Sequence, residues 1–159
     1  MSARSAVRCP ARARPQSSDD GNAIVEFLAA ALLLLVPVVY LALVLGRIQA
    51  ATFAAEGAAR EAGRTAATAS RLEDAVGRAT ASVDIALDDQ GFGDVDPASA
   101  LTLTCSTEPC LQPGSDIETI VAFDVDLPFV PEFVRGVVPL RVPVVARHVA
   151  PVDAFAGRP

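Results

Sequence analysis

An uninterrupted apolar run, AIVEFLAAALLLLVPVVYLALVL from Ala23 to Leu45, restricts this chain more than any other feature. As a helix it is about 35 Å long at about 1.5 Å per residue, enough to cross a bilayer core of about 30 Å. Its only side chain that could be charged at neutral pH is Glu26, and Pro37 inside it predicts a kink. A helix buried in a soluble protein and a cleaved secretory signal are the competing readings. The run exceeds the 7–15 residues or so of a signal's apolar region, and no lipoprotein cysteine follows it.

Charge is distributed unevenly around the run. Arg4, Arg8, Arg12 and Arg14 precede it, with acids only at Asp19 and Asp20, whereas Arg47 alone follows closely. By the positive-inside rule the N-terminus is expected in the cytoplasm and the C-terminal part outside it. The chain of 159 residues has a net charge of −6, and acids dominate beyond residue 80. That balance argues against nucleic acid as a partner, because phosphate binding needs a clustered basic face.

Four segments are expected: a basic leader over 1–21, a transmembrane helix over 22–46, an Ala-rich helical segment over 47–80 and a small β-rich domain over 81–159. The fold class is α+β, a long N-terminal transmembrane helix continuing into the Ala-rich helix and then a small antiparallel sheet. In the Ala-rich segment, Glu56 and Arg60 have favourable i,i+4 spacing, and Glu61 can reach Arg64. Two columns of small residues run along it, Ala50, Ala54, Ala58, Ala62, Ala66 and Ala51, Ala55, Ala59, Gly63, Ala67. Side chains this small predict close approach of another backbone. Ser70 and Glu73 resemble a capping box for a short helix over 71–79. Four alternating or Val-rich runs read as strands: Ser82–Leu87, Ala100–Cys105, Ile117–Leu127 and Leu140–Val149, with Pro143 marking an edge or a break.

The sharpest local pattern is GNAIVEF, Gly21 to Phe27, at the mouth of the apolar run. A carboxylate there costs free energy, and either the positive end of the helix dipole or a specific partner can offset it. Gly-xxxx-Glu-Phe in this position resembles the processing site of type IV pilin-like precursors. The stretch over about residues 19–70, with its acidic approach, Glu-Phe pair, Pro-interrupted run and AAREAGR segment (Ala58 to Arg64), is similar to the TadE family, minor pilins or pseudopilins of the tight-adherence (Tad/Flp) pilus system. The resemblance implies a prepilin peptidase that cuts between Gly21 and Asn22 on the cytoplasmic side. It also implies an assembly role for Glu26 and Phe27, the glutamate pairing with a neighbouring subunit's N-terminal amine. Asn22 departs from the small or hydrophobic residue that many such substrates carry. Further partners so implied are other Tad pilus and pseudopilin subunits and the lipid bilayer.

The alternative is an unprocessed single-pass anchor displaying a small protein-binding domain outside the cytoplasm. Cys105 and Cys110 form a disulfide or remain thiols; external placement permits the bond, while Cys9 stands alone in the leader. Asp88, Asp89, Asp94 and Asp96 lie in DDQGFGDVD, whose spacing does not follow the EF-hand order, so a solvated loop is expected. His148 has no nucleophile motif beside it. No catalytic constellation, cofactor, metal site or small-molecule substrate is expected.

Overall fold

The computed structural model describes residues 20–128 and 141–155, with side chains from residue 23 onward. The leader through residue 19, including Cys9 and the four arginines, and Leu140 of the fourth expected strand lie outside the described residues. The architecture is α+β: α1 (Asp20–Ala67), α2 (Leu72–Asp88), α3 (Pro97–Ala100), β1 (Leu101–Cys105), β2 (Asp116–Asp126) and β3 (Arg141–Pro151). The chain divides into two compact units, one ending at Val39 and the other starting at Tyr40.

In the first unit the described residues are all helical and almost all exposed. Leu32 to Leu35 each expose more than half of their surface. Pro37 lies inside α1 without ending it. A helix this apolar and this uncovered is long enough to cross a membrane.

The second unit is built on alanine. Ala51, Ala54, Ala55, Ala58, Ala59, Ala62 and Ala66 of α1 are all buried. Both predicted columns therefore face inward, and the backbones that approach them belong to this same unit. Gly63 marks the tightest point. A Cβ there would lie 3.1 Å from Thr119 Oγ1, 3.2 Å from His148 Cδ2 and 3.3 Å from Ala150 Cβ. Thr119 and His148 are cross-strand partners in β2 and β3, so Gly63 rests directly on that pair.

The sheet is an antiparallel meander ordered β1-β2-β3. Alternation along β2 buries Ile117, Thr119, Val121, Phe123 and Val125, and β3 adds Val144, Ala146 and Ala150. Pro143 is exposed on β3, an edge strand that tolerates a missing backbone donor.

Two expectations are corrected. Ser82–Leu87 is not a strand but the last part of α2, so helix continues beyond the expected boundary at residue 80. Ala75, Ala79, Val83 and Leu87 recur every four residues and form the buried face, while Ile85 is 63% exposed. The alternation of Val83, Ile85 and Leu87 was incidental to a helical period. Nor does Ser70 cap α2. The N-cap is Arg71, without a side-chain cap bond, which puts Glu73 at N2 rather than at the N3 position a capping box needs. A turn over residues 68–71 separates α1 from α2.

Candidate functional site

Glu26 is preceded in α1 by six helical residues, Asp20 to Val25. That is about one and a half turns, and the dipole's influence fades within the first turn. In the uncut chain the helix terminus therefore does little to offset the cost that a membrane would impose on this carboxylate. Among the described residues Glu26 has no hydrogen-bond or ion-pair partner. Positions three and four away are Asn22, Ala23, Ala29 and Ala30. The alanines leave the approach to the carboxylate open on the C-terminal side. Phe27, the next residue, is 72% exposed.

Gly21 and Asn22 fall within the first helical turn described. A peptidase acting there must unwind that turn. Gly21 eases this, because glycine weakens a helix by about 1 kcal/mol relative to alanine. The structure places Gly21, Asn22, Glu26 and Phe27 within two consecutive turns of one helix.

In the second unit a disulfide joins Cys105, at the end of β1, to Cys110, with Cα atoms 5.5 Å apart, inside the usual range. The loop it closes is short, so its effect is local and fixes the turn leading toward β2.

The acidic segment after α2 has a structural use that its composition did not announce. Arg47 lies over the Phe92 ring at 4.0 Å from the centroid and donates from Nη2 to the Gly91 carbonyl at 3.1 Å. Phe92 in turn packs against Phe123 of β2, with ring centroids 5.4 Å apart. The segment thus clamps α1 to the sheet through a cation–π contact. Gly91 takes φ +75° to make the turn. Asp96 caps α3, accepting from the amides of Ala98 and Ser99. Among the described residues, no three His, Cys, Asp or Glu side chains converge to hold a metal ion. The signal for the clamp was an aromatic set between two glycines, but nothing local paired it with Arg47.

On α1 the favourable Glu56–Arg60 pair does not form. The ion pair is Glu61 with Arg64. A hydrogen bond from the Arg64 guanidinium holds the Glu61 carboxyl below its ordinary pKa against the opposing effect of desolvation, with the Arg64 charge adding to the lowering. His148 is half-buried at the Gly63 contact and lines a cleft with Arg60 and Arg64. Among the described residues Thr119 Oγ1 is buried without a hydrogen-bond partner, an arrangement that costs about 1–3 kcal/mol.

Comparison with family models, with curated proteins and with solved structures finds no match to this chain.

Proposed function

We propose that the chain is a TadE-like minor pilin or pseudopilin, a structural subunit that helps assemble or anchor a Tad/Flp-type pilus at the cell envelope. Its N-terminus is cytoplasmic, α1 crosses the membrane once, and the disulfide-bearing unit sits outside. A prepilin peptidase cuts the Gly21–Asn22 bond, which frees an amine four residues before Glu26. The observation that carries this proposal is Glu26 itself: one carboxylate, without a partner among the described residues, in the second turn of α1, within its otherwise apolar and largely uncovered run Ala23–Leu45. A charged group so placed calls for a counter-charge in the membrane, and the amine of a neighbouring processed subunit supplies one. The chemistry is assembly, with no reaction to catalyse.

The experiment is gene deletion with a topology readout. Surface fibres are expected to fall at least tenfold in the deletion strain while the major subunit is still made. A reporter active only in the cytoplasm should be silent when fused after Pro159. Normal fibres after deletion, or an active reporter, would contradict the proposal.

A further inference from the structure

The outward face of α1 beyond the membrane carries four residues that α1 does not use itself. Phe53 is 68% exposed, the largest apolar group on that face. One turn on, Gly57 has open space where a Cβ would be, with nothing within 4 Å. Glu56 and Arg60 are exposed and, among the described residues, neither forms an ion pair or a hydrogen bond. The two pairs share one spacing: Phe53 to Gly57 is four residues, and so is Glu56 to Arg60.

We infer that this face is a docking surface for a second copy of the same chain, packed parallel and shifted by four residues along the helix axis. In that register Phe53 of one copy lies over the gap at Gly57 of the next, and Glu56 lies beside Arg60. One shift satisfies both the shape and the charge. The unshifted register opposes Phe53 to Phe53, Glu56 to Glu56 and Arg60 to Arg60, which is unfavourable. Parallel packing rests on the membrane reading proposed above, because both copies enter the bilayer with the same polarity. A shift of four residues is about 6 Å along a helix. The contact is heterologous within one pair: one copy offers Phe53 and Glu56, the other Gly57 and Arg60, and because all four residues lie on a single face of α1 the two helices cover each other there.

The test uses full-length chain in phosphatidylcholine–phosphatidylglycerol vesicles, with donor- and acceptor-labelled copies and energy transfer measured as lipid is added. Wild-type copies should transfer above the level of random mixing. Glu56→Arg opposes two arginines and Arg60→Glu opposes two glutamates. Each alone should weaken association by about three- to tenfold. Phe53→Ala should weaken it by about tenfold or more. The two charge variants mixed in one vesicle should recover wild-type transfer, and so should the double variant. Recovery by mixing separates a contact between copies from a pair within one helix, which mixing cannot restore. Transfer at the random level for wild type, or no recovery on mixing, overturns the inference. Flotation of the same vesicles reads the membrane anchor independently. A chain that floats but does not pair contradicts only the docking surface, whereas a chain that fails to float contradicts the anchor and the parallel register with it.

Discussion

Replacing Gly63 with leucine is expected to destabilise the second unit, which starts at Tyr40, by about 3 kcal/mol, at the upper end of the usual cost of overpacking. The first added atom already meets Thr119 Oγ1, His148 Cδ2 and Ala150 Cβ between 3.1 and 3.3 Å. These neighbours lie on two paired strands, so the sheet itself must shift to admit the rest of the side chain. For a unit of this size the loss corresponds to a fall in Tm on the order of 15 °C. Gly57 is the control on the same helix. Nothing lies within 4 Å of a Cβ there, so Gly57→Ala should stabilise by up to about 1 kcal/mol through helix propensity alone. Thermal unfolding of the full chain in detergent, followed by circular dichroism, compares the two. A Gly63→Leu variant that melts with wild type would show that α1 does not rest on the Thr119–His148 pair.

Glu26 variants should separate membrane insertion from assembly. On insertion scales a charged side chain costs about 2.5–3.5 kcal/mol at the centre of a membrane helix and less toward the interface. Glu26→Ala removes that cost, and Glu26→Gln removes the charge while keeping the size, so both should insert at least as well as wild type. If the carboxylate pairs with a neighbour's amine, both lose assembly, and surface fibres should fall at least tenfold at unchanged membrane level. Immunoblotting of membranes beside quantified sheared fibres in one strain checks this. Normal fibres from both variants would remove the assembly role and favour an anchor that only displays a binding domain.

Much of the fold was legible because its causes are local. A membrane span needs length and apolarity, and Ala23 to Leu45 has both. β2 declared itself by alternation, since one face must be buried and the other wet. The small-residue columns announced close packing, although their partner is the chain's own sheet and α2 rather than another molecule. Ser82–Leu87 was misread because three apolar residues at alternate positions fit a strand, and the helical period emerges only once Ala75 and Ala79 are counted as core. Alanine is a weak signal in a chain so rich in it. The Arg47–Phe92–Phe123 clamp was invisible for a different reason. Its members are far apart in sequence, and only tertiary packing brings them together. Of the site, Gly21, Asn22, Glu26 and Phe27 were legible as a motif. The helical residues preceding Glu26, which weaken the dipole explanation of its charge in the uncut chain, were not.

The most direct measurement of the central claim is the N-terminal residue of the membrane-resident protein in cells that make the cognate peptidase. The account predicts a chain beginning at Asn22, with the leader gone and the new amine four residues from Glu26. A membrane-resident chain that still begins at Met1 or Ser2 would contradict it.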